Sequence, residues 1–205
     1  MHSIPPFRRR AGLLLLLTGI ALPVVAGSLE AQQQAAPQPL GFHLGLHLNG
    51  SSLRFTDEET TEAGGGLGFR VGWGFSPNLT LFLGADGASM EQGEYTLGQS
   101  DLGLRYRFSS PSSRGALYLD GALSYWLAET DLFGPTVEIT GPAFTVGAGY
   151  LQFLSSSVAL DAGLRLGYGA FDTVSSSTTS VEIDESARTA RFNIGISWYA
   201  GASGG

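Results

Sequence analysis

The 205-residue chain has no cysteine and no lysine. The first absence excludes a disulfide framework, a thiolate metal site and a cysteine nucleophile. The second leaves arginine as the basic residue, 11 in all against 18 acidic residues, for a net charge of -7. Three of those arginines, Arg8, Arg9 and Arg10, stand in the leader, so its loss would make the remaining chain more acidic still. That balance argues against a broad nucleic-acid footprint. Sustained helical periodicity is also missing after the leader. What remains is a chain with 43% hydrophobic residues and 30 glycines, about the length of one domain.

The first segment reads as an address rather than as part of the fold. RRRAGLLLLLTGIALPVVAGSLEA supplies a positive start, an apolar stretch from Ala11 to Val25, and small residues that suit cleavage after Ser28 or Ala31. Pro23 interrupts the run, which falls short of the ~20 residues a spanning helix needs. Residues 1–31 are expected to be an export signal peptide, residues 32–39 (QQQAAPQP) a linker, residues 40–200 the folded domain and residues 201–205 a short tail.

Within 40–200 the pattern is alternation. GFHLGLHLN places Phe42, Leu44, Leu46 and Leu48 on one face and His43, Gly45, His47 and Asn49 on the other. GLGFRVGWGF, LTLFLGAD, DLGLRYRF, ALYLDGALSYWL, AFTVGAGY, VALDAGLRLGYGAF and ARFNIGISWY divide in the same way, giving eight predicted strands. Their connections alternate. SPN, SSPSSR and SSS are short and turn-like, whereas the stretches around TDEETTEAGG, EQGE, ETDLFGPTVEITG and SSSTTSVEIDES are longer, mostly acidic, and expected to be loops.

The less apolar face decides which side meets water. A solvated surface would be rich in Lys, Glu and Thr; this face is mostly Gly, Ser, Arg and Asp, as a narrow filled lumen requires. Most segments also reach the roughly 9–11 residues of a tilted transmembrane strand. Two aromatic groups fit interfacial girdles: Phe42, Trp73, Phe75, Tyr106, Phe108 and Trp198 near the short turns, and Phe69, Tyr125, Phe144 and Tyr168 toward the long loops. Hydrocarbon cannot satisfy an open sheet edge, so the strands must close on themselves. The expected fold is all-β, an eight-stranded antiparallel up-and-down transmembrane β-barrel, with termini and short turns in the periplasm and long loops extracellular.

Inside such a barrel, Arg70, Asp86, Asp101, Arg105, Asp120, Arg165 and Arg191 fall in a middle layer with His47, while Asp161, Arg107 and His43 lie nearer the short turns. Asp161 and Arg165 stand about 13 Å apart on one strand, too far to pair directly. They should therefore pair across the lumen. Arg105 is expected near Asp120, and Arg70 near Asp86, in an ion-paired plug that favours arginine for its bidentate geometry.

These features resemble the eight-stranded outer-membrane β-barrel family, which includes outer-membrane protein X and the transmembrane domain of outer-membrane protein A. The resemblance covers about residues 40 to 200. RFNIGISWYA is similar to the assembly signal read by the barrel-insertion machinery through Asn193, Gly195, Trp198 and Ala200, although a terminal Phe is usual there and this chain continues as GASGG. The resemblance implies residence in the bacterial outer membrane, contact with its lipid and lipopolysaccharide, and a monomer, more firmly than any activity. A peptidoglycan-binding domain is not expected after the barrel.

His43, His47 and Asn49 are expected as hydrogen-bonded lumen residues, since the two histidines are about 13 Å apart and cannot share one ion. No metal and no cofactor is expected. The acids Asp57, Glu58, Glu59, Glu62, Glu91, Glu94, Glu129, Asp131, Glu138, Glu182, Asp184 and Glu185 read as solvated loop charge without calcium-loop spacing. A structural or surface-interaction role without catalysis is the first expectation. A small porin-like pore is the alternative, and a lipid A-modifying membrane enzyme the third, disfavoured because both histidines lie toward the periplasmic half.

Overall fold

The computed structural model describes residues 40–56, 60–90, 95–109, 114–131, 136–176 and 179–200. Eight strands follow one another: β1 (Gly41–Phe55), β2 (Glu62–Gly74), β3 (Leu79–Met90), β4 (Tyr95–Ser109), β5 (Gly115–Asp131), β6 (Thr136–Phe153), β7 (Val158–Ser176) and β8 (Thr179–Tyr199). Each pairs antiparallel with its sequence neighbours, and β1 pairs with β8, so the sheet is a closed barrel without an edge. The closing seam runs from His43 opposite Tyr199 to Phe55 opposite Ala187. Closure satisfies each strand on both sides, which an apolar solvent demands.

Alternation fixes which residues face where. Leu46, Leu67, Leu83, Leu123, Phe144 and Tyr168 each remain about half exposed or more, whereas their strand neighbours His47, Arg70, Asp120, Thr145 and Arg165 are buried. Large apolar side chains on the outer wall and charges within invert the arrangement of a water-soluble barrel.

Serine builds the short turns. Ser76 Oγ accepts from the backbone N–H of Asn78 at 3.3 Å and of Leu79 at 3.0 Å, joining β2 to β3. Ser155 Oγ accepts from Ser157 at 3.3 Å and Val158 at 3.1 Å, joining β6 to β7. Such hydroxyls replace the missing ladder partners where the chain reverses. The turn over 110–113 lies outside the described residues.

At the opposite rim the structure departs from the loops expected there. β5 runs to Asp131 and β6 resumes at Thr136; β7 runs to Ser176 and β8 resumes at Thr179. Glu62, Glu129, Asp131, Glu138, Glu182, Asp184 and Glu185 therefore belong to strands rather than loops. The cause is visible in the segments: Thr, Val and Ile alternate through TVEIT and TSVEI, and β-branched residues extend a ladder. Asp57, Glu58, Glu59, Glu91 and Glu94 lie outside the described residues.

Candidate functional site

An eight-stranded barrel encloses a channel about as wide as the side chains that fill it. Here that space is occupied by one connected set of polar groups. Asp161 on β7 accepts hydrogen bonds from Tyr118 on β5 at 2.6 Å and from Arg105 on β4 at 2.8 Å, and Arg70 on β2 approaches it at 3.5 Å. Arg105 also donates to Asp120 on β5 at 3.0 Å, and Asp120 accepts a second bond from Arg165 on β7 at 2.9 Å. Arg165 continues to Asp101 on β4 at 2.7 Å.

From Asp101 the chain of contacts climbs toward the long-hairpin rim. Gln99 and Ser124 each donate to Asp101 at 2.6 Å. Ser124 shares a 2.8 Å hydrogen bond with Thr145 on β6. Gln99 accepts from Arg191 on β8 at 2.7 Å and from the Trp126 indole at 3.1 Å. Arg191 lies 2.8 Å from Asp86 on β3 and donates to Ser51 at 3.1 Å. Asp86 meets His47 at 2.6 Å and accepts from Asn49 at 3.2 Å. Every strand contributes to the network.

Rings fill what the charges leave. The Arg105 guanidinium lies 3.6 Å from the Tyr118 ring centre. Phe82 sits between two cations, 4.9 Å from Arg70 and 5.1 Å from Arg165. Such faces stabilise the flat sides of buried guanidinium groups whose N–H edges meet carboxylates. Lumen glycines make the room: a β-carbon on Gly147 would overlap Asp120 and Arg165, and one on Gly68 would overlap Asp86 and His47.

The expected pairs meet different fates. Arg105 contacts Asp120, and Asp161 and Arg165 each pair across the lumen rather than with each other. Arg70 does not pair with Asp86. It reaches toward Asp161, while His47 and Arg191 occupy Asp86. Strand inclination explains the exchange, because shear offsets residues that equal counting from the rim would set level. The same offset brings Asp161 into the ion-paired layer. Arg107 stays near the short turns, donating to the Pro77 carbonyl and lying 5.4 Å from the Phe153 ring.

His43 and His47 have separate surroundings. His43 stacks on Tyr199 with ring centres 5.3 Å apart, whereas His47 is held by Asp86. Ser51 donates to Asn49 at 3.2 Å, so its hydroxyl is committed away from either imidazole. A nucleophile poised against a base needs the opposite arrangement.

Two apolar layers bracket the charges, and the sequence reading did not single them out. Toward the long hairpins, Leu53, Met90, Leu97, Trp126 and Phe171 pack together inside the barrel, each at most 1% exposed. Toward the short turns, Tyr118, Leu151, Phe153, Ala159 and Tyr199 form a second cluster. Position parity carried the signal: Trp126 shares its face with Asp120, and Phe171 shares its face with Asp161 and Arg165.

On the outer wall, Phe42, Trp73, Phe75, Tyr106, Phe108, Tyr125, Tyr168 and Trp198 are each between 41% and 61% exposed. Of the proposed assembly residues, Trp198 faces outward, while Asn193 is buried toward the lumen with its side-chain amide unpaired among the described residues. Gly195 lies opposite His47 on β1.

A family model described as the outer membrane protein beta-barrel domain matches residues 20–199. The chain belongs to that family. Its membership places it in the bacterial outer membrane. The crystal structure of Neisserial surface protein A superimposes with a TM-score of 0.64 at 19% identity, covering 78% of this chain and 97% of that one. The structure of Ail, the attachment invasion locus protein of Yersinia pestis, gives a TM-score of 0.49 at 13% identity, with coverage of 78% and 98%. The first likeness shows a shared fold. No curated protein matches the chain closely enough to add an activity.

Proposed function

We propose that this protein is a non-conducting outer-membrane barrel whose filled lumen holds a rigid wall for its long hairpins, in a structural or surface-interaction role without catalysis. The observation that carries this reading is the continuous packing of the interior: a charged network joined across all eight strands, with an apolar layer above and another below. Water-filled pores need an open polar path, and here each level of the lumen is occupied by side chains. The separate commitments of His43, His47 and Ser51 support the absence of catalysis.

Residues 1–31 act as a cleaved export signal in this reading, the short turns face the periplasm and the long hairpins face outside the cell. The exposed aromatic residues anchor the wall at the two headgroup levels. Asn193, Gly195 and Trp198 contribute to recognition by the insertion machinery, and the barrel works as a monomer.

Proteoliposome swelling tests the reading. Vesicles carrying the folded protein should respond to small sugars and salts at the rate of protein-free vesicles. Swelling that increases with protein content and falls with solute size would establish the pore instead.

A further inference from the structure

The barrel closes through β1 and β8, but the two strands reach different heights. Their ladder ends with Phe55 opposite Ala187, and just beyond it the Thr56 N–H donates to the Ser186 carbonyl at 2.8 Å. β8 begins well before that point, at Thr179. Over 179–185 its register partners all lie on β7, from Ser176 opposite Thr179 to Phe171 opposite Glu185. Among the described residues no strand pairs with the other side of this stretch, so closure holds in the wall and lapses at the long-hairpin rim. An edge of this kind presents main-chain N–H and C=O groups as a template for a further strand.

The edge has two unlike faces. Ala128, Ile139, Val174 and Val181 form one row from β5 to β8. Ile139 and Ile183 pack on the apolar layer of Trp126 and Phe171, so this row lies over the barrel mouth. Its last member, Val181, is left 55% exposed. The alternate rows face outward and carry acid: Glu129, Glu138, Ser175 and Ser180 in one, Thr140, Thr173 and the exposed Glu182 in the other. Native edges are commonly guarded by lysine or proline, and TSVEIDES, residues 179–186, has neither. Its guard is acidic. Antiparallel pairing with a second copy of the same edge would set Glu182, Asp184 and Glu185 against their own kind, and like charges opposed across a ladder destabilise it. The residues that turn away a second copy favour a basic strand, and the chain's net charge of -7 steers one toward it.

We propose that the Thr179–Glu185 edge of β8 takes up an extended segment of a partner protein as an added strand, one that alternates basic and apolar residues. Its basic side chains lie beside Glu182 on the outer face, and its apolar side chains lie beside Val181 over the barrel mouth. Main-chain hydrogen bonds supply the affinity and the two faces supply the selection. The inference gives the surface-interaction role proposed above a docking strand and a partner class, and it rests on that reading for the outward placement of the long hairpins.

Peptide binding to the folded protein in detergent micelles tests the edge. The probe is a labelled peptide of about seven residues that alternates arginine and valine. Its comparison has the same sequence N-methylated at every residue, which removes the main-chain donors and keeps the charges and side chains. Fluorescence anisotropy should show saturable binding of the first peptide and at least about tenfold weaker binding of the second. Amide exchange over 179–185 should slow by at least about fivefold with the first peptide bound, while that of 129–131 stays unchanged. E182R should weaken binding by at least about fivefold. E129R makes the same change of charge on the same face but on β5, away from the edge, and should alter binding by less than about twofold. No binding of the first peptide, equal binding of the two peptides, or equal losses in E182R and E129R would overturn the proposal. The peptide pair needs no variant, which keeps the test available if E182R folds poorly. Micelles report neither conductance nor orientation, so failure here is distinct from failure of the reading on which the proposal rests.

Discussion

A single oxygen of Asp120 holds two guanidinium groups, those of Arg105 at 3.0 Å and Arg165 at 2.9 Å. Removing that carboxylate takes one of two acids from each cation, leaving Arg105 on Asp161 and Arg165 on Asp101 with a buried positive charge uncompensated, which is far costlier than removing a pair together. Asp120→Ala should therefore destabilise the barrel by about 3–5 kcal/mol, read from the urea midpoint of protein folded in vesicles. A loss under about 1 kcal/mol would show that Asp161 and Asp101 alone suffice for the two arginines. The opposing glycine gives a second measure of how tightly this layer is packed. Gly147→Val should cost at least about 1–3 kcal/mol, since its β-carbon would overlap Asp120 and Arg165. The Arg105–Asp120 contact was legible in sequence because the two are register partners across a short turn. The Arg70 contact was not, because its partner Asp161 comes from β7, remote in sequence and set level only by shear.

Strands were easier to recognise in the wall than at the rim. Alternation identified all eight, since period two is imposed wherever one face meets lipid and the other a filled lumen. Beyond the membrane that contrast fades, and acidic composition suggested loops where β-branched residues in fact continue the ladder. The extended β5–β6 hairpin has an electrostatic consequence. Glu129 and Glu138 stand directly opposite each other in register, an arrangement that weakens a pair of strands. Glu138→Arg should stabilise the hairpin by about 0.5 kcal/mol and slow amide exchange around Thr130 by about twofold. Faster exchange in that variant would contradict the paired register. In segment VALDAGLRLGYGAF, parity turns Asp161 and Arg165 inward and Phe171 with them, so the charge pattern marks the ion-paired layer but not the apolar layer that Phe171 joins.

For the whole molecule, the lumen is a sequence of layers rather than a uniformly polar channel. Aromatic and aliphatic groups pack at both ends, and between them four aspartates meet four arginines in one connected network. In the proposed non-conducting barrel, either apolar layer alone is dispensable for closure. Trp126→Ala with Phe171→Ala should lower stability by roughly 3–5 kcal/mol per ring removed, yet leave the barrel non-conducting because the charged layer and the lower cluster remain. The central claim is the closed lumen, and single-channel recording in planar bilayers tests it most directly. Purified wild-type protein, folded and inserted, should add no resolvable unitary steps above the bare membrane. Stable, reproducible steps of one size, carried by the folded monomer, would contradict the account.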